Sequence, residues 1–287
     1  MRKDMKISNT QYKAARWGDE KYKKLKEIGF EAIDFSNNVT DSHAHCEISN
    51  EEFIDTVKRE KELIDEAGLE VYQMHGPWRW PPKDYTLEDR TDRMSRMKAS
   101  IEASALLGCK NWVIHNIMPF GHEDLKLGKG EETWKMNKEF FGELADTAHK
   151  FEVNICLENM PMPNFAVATP QNILDFIDEM NDDCFRTCLD VGHAAVIPGV
   201  DPVESVYRVK DKLAAVHIHD NLGKVDQHFI PFFGVVDWEN VGKALRDIDF
   251  KGVFSLEVEA PKNLPDPYFE EMFKLIFKIA NHIANGK

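Results

Sequence analysis

The chain has 287 residues, of which 43% are hydrophobic, and a formal net charge of −14 at pH 7. This length and composition are sufficient for one large buried core, whereas the acidic excess disfavours a broad nucleic-acid surface, which needs clustered Lys and Arg to replace phosphate counterions. No run approaches the roughly eighteen apolar residues of a membrane span, and the first ten residues, MRKDMKISNT, lack the apolar segment of a signal peptide. The sequence therefore predicts a cytoplasmic protein without a membrane partner.

Short apolar, β-branched runs alternate with segments of helical periodicity along the whole chain, which is the pattern of repeated strand–helix units. The predicted strands are 5–8, 31–35, 70–75, 111–115, 153–158, 186–190, 214–219 and 253–258. The predicted helices are 17–28, 50–67, 87–107, 131–151, 169–181, 201–211, 237–247 and 266–284. Gly68 and Gly108 follow periodic runs as helix-terminating glycines do, and Thr169 before Pro170 is typical of an N-cap followed by an N1 proline. These signals support the helix boundaries.

Eight strands alternating with eight helices predict an α/β fold of a single domain, a (β/α)8 TIM barrel over residues 1–287, and the length is near the ~250 residues usual for that fold. An open doubly wound sheet is the alternative. Its phosphate-binding fingerprint is missing, because GKGEE at 128–132 does not match G-x-G-x-x-G, so no nucleotide cofactor is expected. The five cysteines lack a C-x-x-C pair, and Cys156 and Cys188 are predicted to be reduced core residues.

Residues that bind metals or transfer protons end most of the predicted strands from the third onward. They are His75, His115, Glu158, Asp190, His217 and Glu257. In a (β/α)8 barrel the carboxyl ends of the strands converge on one mouth, where such enzymes place their chemistry. A single strand-end histidine is usually a hydrogen-bonded structural group, but a carboxylate at the end of an apolar strand loses solvation and is tolerated when it is paired or bound to a metal. The series as a whole therefore predicts a functional site at the mouth.

The expected metal ligands are mostly oxygen atoms, together with one nitrogen atom. Two glutamates, an aspartate and a histidine suit Mn²⁺, Mg²⁺ or Zn²⁺, so we expect a divalent metal ion as cofactor. Asp190 and His193, in LDVGHA, are spaced so that both side chains can reach one site. His217 and His219 are two residues apart and point to the same side of a strand, and only one of them need bind the metal.

The segments LENMP, LDVGHA, VHIHDN, DQHF and SLEV, in this order and spacing, resemble the xylose isomerase-like TIM barrel superfamily. That superfamily includes sugar phosphate isomerases and epimerases and the endonuclease IV type of abasic-site nuclease. In the epimerase branch the resemblance implies a metal held by Glu158, Asp190, His217 and Glu257. His217 is preferred to His219 because HIHD matches the family pattern H-x-x-D, and a slip of one step would exchange the two. In the nuclease branch the resemblance implies a three-zinc cluster, for which further ligands would come from His75, His115, His193, Asp226 and His228. His219 is a possible additional metal or substrate ligand.

The resemblance implies a metal-dependent isomerase or epimerase of carbohydrate metabolism that acts on a sugar or sugar phosphate. Proton transfer would pass through a metal-stabilised enediolate, with Glu158 and Glu257 acting as catalytic residues on opposite faces of the substrate and His193 hydrogen-bonded to it. Trp78 and Trp80 in HGPWRWPPKDY are expected to contact the sugar. The arginine that some ketose epimerases carry after the seventh strand is absent, which leaves Lys224 as the nearest cation there.

Two alternatives differ from this prediction. One is an endonuclease IV-like trinuclear-zinc phosphodiesterase, and the other is a catalytically idle sugar-binding barrel. The loop at 36–50 contains no Lys or Arg, which disfavours a grip on DNA phosphates and nucleic acid as a partner. The segment DQHFIPFFGVVDW is predicted to be a lid, with Trp238 at the start of a helix. Assembly into a homo-oligomer is left open.

Overall fold

A computed structural model describes residues 4–36, 48–78, 80–258, 261 and 263–287. One sheet contains eight strands in the order β7-β6-β5-β4-β3-β2-β1-β8, and the paired neighbours are parallel. The strands are β1 Ile7–Thr10, β2 Ala32–Ser36, β3 Glu70–His75, β4 Asn111–Ile114, β5 Asn154–Glu158, β6 Phe185–Asp190, β7 Leu213–His217 and β8 Phe254–Leu256. A bridge between Ile218 and Leu256 joins the two ends of the sheet. The predicted single-domain (β/α)8 TIM barrel is therefore confirmed.

Helices follow the strands around the outside of this nearly closed barrel. A 3₁₀ helix, Gln11–Glu20, leads into α1 Lys21–Ile28, α2 Asn50–Ala67, α3 Leu87–Leu106, α4 Gly130–Phe151, α5 Pro170–Met180, α6 Val191–Val196, α7 Pro202–Val209, α8 Trp238–Asp247 and α9 Asp266–Asn285. Among the described residues, none of these helices has both the length and the apolar composition needed to cross a bilayer.

The helix boundaries follow the local signals in the sequence. Thr169 accepts a hydrogen bond from Asn172 N and forms a full capping box ahead of Pro170. Gly68 ends α2 in the left-handed conformation at φ 67°, which a residue without Cβ adopts at little cost. Local chemistry therefore specifies these boundaries before any tertiary contact forms.

Most observed elements differ from their predicted bounds by a few residues, and three differences bear on the site. The first strand was expected at 5–8 but lies two residues later, because the buried polar residues Asn9 and Thr10 pair with β2 inside the barrel. The short helix α6 was not predicted; the carboxylate of Asp190, at the end of β6, caps it directly. The last strand ends at Leu256, so Glu257 lies one residue beyond it, although its backbone N–H still bonds Ile218 O.

Apolar side chains between the strands and the helices form the main core, in which Trp112, Phe141 and Phe176 are fully buried. A small second cluster contains Val113, Cys156, Cys188 and Ala215. The four cysteines in the described part of the chain are free and buried, as the sequence predicts. Polar residues at the strand ends lie at the mouth, where the apolar packing stops.

Candidate active site

Four of the predicted residues meet at the barrel mouth. Glu158, Asp190, His217 and Glu257 each offer one ligand atom, and these atoms all lie within 4.8 Å of one another. We call these four residues the central group. Their strands, β5, β6, β7 and the end of β8, are far apart in sequence, so only closure of the barrel brings them together.

Glu158 belongs to a second group as well. Its Oε1 lies 3.0 Å from His217 Nδ1 in the central group. Its Oε2 lies 3.0 Å from His115 Nε2 and 3.3 Å from His75 Nε2. We call His75, His115 and Glu158 the His75 group. One buried carboxylate thus serves two neighbouring sets of donors.

A third set, the His193 group, lies on the other side of the central group and contains His193, His219, Asp226 and His228. Asp226 Oδ2 is 3.0 Å from His228 Nε2 and 3.3 Å from His193 Nε2. The rings of His219 and His228 are stacked, with centroids 4.0 Å apart. His217 ends β7 and His219 lies two residues beyond it; both are buried, but they join different groups.

His219 connects the His193 group to the central group. Its Nε2 lies 3.0 Å from Asp190 Oδ2, and its ring fills the space beside Gly192, where an added Cβ would lie 2.1 Å from His219 Cε1. The glycine in LDVGHA is therefore required by this close approach, because any larger residue would displace the ring.

Asn159 holds the short segment that carries Asp190 and His193. Its amide accepts a hydrogen bond from Asp190 N at 2.9 Å and donates one to Asp190 O at 2.9 Å. Its own backbone carbonyl accepts from His193 Nδ1 at 2.8 Å. Asp190 Oδ1 in turn accepts from His193 N at 2.6 Å, which begins α6. The spacing in LDVGHA thus brings His193 Nδ1 to 3.6 Å from Asp190 Oδ2 at the mouth.

The loop that carries Asp226 and His228 is held by the buried carboxylate of Asp220. This carboxylate accepts hydrogen bonds from Gly234 N at 2.9 Å and from Trp238 Nε1 at 2.8 Å. Trp238 begins α8 and is buried, as predicted. Of the lid residues, Phe232 and Phe233 are exposed and Phe229 is half-buried.

The charges of the site compensate one another. Burial alone would raise the pKa of Glu158, but its electrostatic contacts and hydrogen bonds with His217 and His115 lower it well below its usual range. Burial opposes ionisation of Glu257 too, yet His217 and His228, with a smaller contribution from Lys13, lower its pKa to about 2. For His193, burial favours the neutral ring, but Asp190 and Asp226 raise its pKa to about 10. Both glutamates are therefore ionised near neutral pH.

The remaining predicted residues lie around the mouth. Trp78 meets the His115 ring edge-on, with centroids 4.9 Å apart, whereas Trp80 is 46% exposed and packs beside His122. Lys224 is exposed on the loop after β7. Arg79 and most of the 36–50 loop lie outside the described residues.

Two residues of the site were not expected from the sequence. Lys13, on the 3₁₀ helix, is the cation whose charge acts on Glu257 and His228. Asp34, from β2, lies against His217. An aspartate inside the otherwise apolar run AIDF was the available signal for Asp34, because such a charge requires a buried partner.

The central group fits a divalent cation. Three buried or nearly buried carboxylates within 4.8 Å of one another repel strongly unless a positive charge lies between them. In the neighbouring His75 and His193 groups, the buried atoms His115 Nδ1, His219 Nδ1 and Asp226 Oδ1 have no hydrogen-bond partner within the described residues. Carboxylate oxygens with imidazole nitrogen are donors that Mn²⁺, Mg²⁺ and Zn²⁺ accept.

Comparison with known proteins agrees with this architecture. A family model described as a xylose isomerase-like TIM barrel matches residues 22–277. An uncharacterised protein of Sinorhizobium fredii is 22% identical over 95% of this chain and 93% of its own length. A D-psicose 3-epimerase of Enterocloster bolteae is 25% identical over 40% of this chain and 36% of its own. The crystal structure of 3-keto-D-glucoside 4-epimerase from E. coli superposes with a TM-score of 0.76 at 18% identity, covering 96% of this chain and all of that one.

Proposed function

The chain belongs to the xylose isomerase-like TIM barrel family, and we propose that it is a sugar epimerase or isomerase that holds a divalent cation at the central group. The observation that carries the proposal is the meeting of Glu158, Asp190, His217 and Glu257 within 4.8 Å. Similarity to proteins named as D-psicose 3-epimerase and 3-keto-D-glucoside 4-epimerase supports a sugar as the substrate class.

The four residues of the central group would hold the cation. When bound, such a cation polarises adjacent substrate oxygens and stabilises negative charge that develops on them. Glu158 and Glu257 are ionised near neutral pH because of the histidines around them, so each is ready to accept a proton from carbon. In the proposed reaction one glutamate removes the proton beside the carbonyl, and the other, which first takes up a proton from solvent, delivers that proton to the opposite face of the enediolate.

The surrounding residues would bind and orient the sugar. His193 is held by Asn159 O through its Nδ1, so its Nε2 faces the mouth beside Asp226 and can donate to a substrate oxygen. Trp78, against His115, offers an aromatic surface for the C–H face of a sugar. Lys13 adds positive charge near Glu257 and would favour a substrate with an electron-rich or anionic group there.

Deuterium incorporation tests this proposal. The protein would be incubated with ketoses, aldoses and their phosphates in deuterated water containing Mn²⁺, and the products read by NMR. We expect deuterium at the carbon beside the carbonyl for one sugar. Glu158→Gln and Glu257→Gln are expected to abolish the exchange, and exchange that survives in both variants would contradict the role of the glutamates.

A three-cation phosphodiesterase is the second candidate. The observation that favours it is the presence of the His75 and His193 groups on either side of the central group, with Glu158 shared between two of them. Elemental analysis separates the two proposals, because about one ion per chain favours epimerisation and three zinc ions favour hydrolysis. Cleavage of abasic DNA or of bis(p-nitrophenyl) phosphate by the zinc-loaded protein, without deuterium exchange, would establish the second candidate.

A further inference from the structure

A carboxylate outside the three groups orients the histidine of the central group. We infer that Asp34 is a positioning residue that fixes His217 with Nε2–H toward Asp34 and Nδ1 toward Glu158 and Glu257. The inference rests on the proposed function, because it concerns how a residue proposed to hold the cation is presented. It adds a residue that neither strand-end position nor sequence motif identifies.

Alternation along β2 aims Asp34 into the barrel, because its neighbours Ile33 and Phe35 belong to the main core. The register of β2 against β3 shifts between Ile33 and Asp34, with the extra residue on β3, so that Asp34 lies opposite Gln73 rather than Tyr72. Asp34 is 1% exposed. A carboxylate this deep requires partners that donate hydrogen bonds or carry positive charge.

Those partners come from three other strands. Asp34 Oδ2 accepts from Gln73 Nε2 at 2.8 Å and from Ser255 Oγ at 3.0 Å. The same oxygen lies 3.1 Å from His217 Nε2, in ion-pair contact but off the line of an ideal hydrogen bond. Gln73 Nε2 also reaches Val216 O at 3.2 Å. The carboxylate is therefore fixed from β3 and β8, and the imidazole on β7 meets a rigid partner.

The orientation of His217 is the reverse of that of three other histidines in the site. His75, His193 and His228 place Nδ1 at 2.8, 2.8 and 2.6 Å from the backbone carbonyls of Gly76, Asn159 and Glu257, respectively. Each of these three therefore turns Nε2 toward its group.

His217 instead turns Nδ1 toward the carboxylates, at 3.0 Å from Glu158 Oε1 and 3.3 Å from Glu257 Oε2. Its Nε2 faces Asp34, and a carboxylate can only accept there, so Nε2 must carry hydrogen. That tautomer leaves the lone pair of Nδ1 free for a cation. A carboxylate partner also makes an imidazole a better donor to a metal than a carbonyl does, and such partners typically change metal affinity by about 10- to 100-fold.

Metal titration of the intact protein tests the inference. Asp34→Asn preserves the shape of the side chain but removes the charge, and we expect Mn²⁺ to bind it about 10- to 100-fold more weakly than wild type by isothermal titration calorimetry. Asp182→Asn is the matched control, because it makes the same exchange of a carboxylate for an amide near the start of β6, away from the mouth. We expect its affinity to stay within about threefold of wild type.

A second readout does not depend on any variant folding. In wild-type protein with ¹⁵N-labelled histidine and bound Zn²⁺, NMR should show His217 with hydrogen on Nε2 and metal on Nδ1. Coordination through Nε2, or Asp34→Asn binding Mn²⁺ as tightly as wild type, would overturn the inference and leave the proposed function intact. Failure of wild type to bind Mn²⁺, Mg²⁺ or Zn²⁺ at all would overturn both.

Discussion

Cation binding at the central group should stabilise the whole fold. Two unit charges 4.8 Å apart repel by about 3.5 kcal/mol at an effective dielectric constant near 20, and Glu158, Asp190 and Glu257 form three such pairs. In the protein without metal, protonated imidazole offsets this repulsion, because Cys188, Glu158 and Glu257 keep the pKa of His217 well above its ordinary value despite burial. A cation replaces those protons and holds the carboxylates directly, so its binding adds to the free energy of unfolding.

The size of the effect follows from mass action. A ligand that binds only the folded state stabilises it by about 2.7 kcal/mol at a free concentration 100 times its Kd. For a domain of this size each kcal/mol raises the Tm by about 2–4 °C, so we expect a rise of about 5–10 °C. The assay is thermal unfolding followed by circular dichroism, first with EDTA and then with Mn²⁺.

Two variants locate the binding site within the fold. Glu158→Gln removes a carboxylate of the central group and should lose most of the Mn²⁺-dependent rise. Asp182→Asn is the matched control: with His149 and Cys184 it forms a separate potential donor set near the start of β6, away from the mouth. Its rise should equal that of wild type. An unchanged Tm in wild type, or a rise lost in Asp182→Asn but kept in Glu158→Gln, would refute the reasoning.

Two further predictions concern packing. The buried ammonium of Lys21 lies 2.7 Å from Glu60 Oε2, and Glu60→Gln removes its counter-charge. We expect urea titrations to show a free energy of unfolding lower by about 3–5 kcal/mol. A loss below about 1 kcal/mol would contradict a desolvated ion pair. Gly192→Ala places Cβ 2.1 Å from the His219 ring, so it should lower the free energy of unfolding by about 1–3 kcal/mol and weaken Mn²⁺ binding. Gly142→Ala in α4 is the control, because no atom lies within 4 Å of the added Cβ, and it should be neutral or stabilising. Equal effects of the two variants would contradict the close-contact argument.

The sequence by itself was enough to predict the barrel, because its evidence is local. Alternating periodicities mark strands and helices, and a capping box such as that of Thr169 or a left-handed glycine such as Gly68 ends an element without help from the rest of the chain. The positions of Glu158 and Asp190 were predictable for the same reason, because the sequence alone shows a polar residue at the end of an apolar strand. The carboxyl ends of the strands that carry these residues converge because the strands of the barrel are parallel.

Only the tertiary structure decided which donors share a site. His217 and His219 have the same periodicity, yet they join different groups, because one approaches Glu158 and the other lies against Gly192 and Asp190. Asp34 on β2 lies against His217 on β7, although these strands are not neighbours in the sheet, because the barrel brings them together. Contacts between strands distant in sequence depend on register and barrel closure, and differences of a few ångströms there determine which atoms can hold one ion.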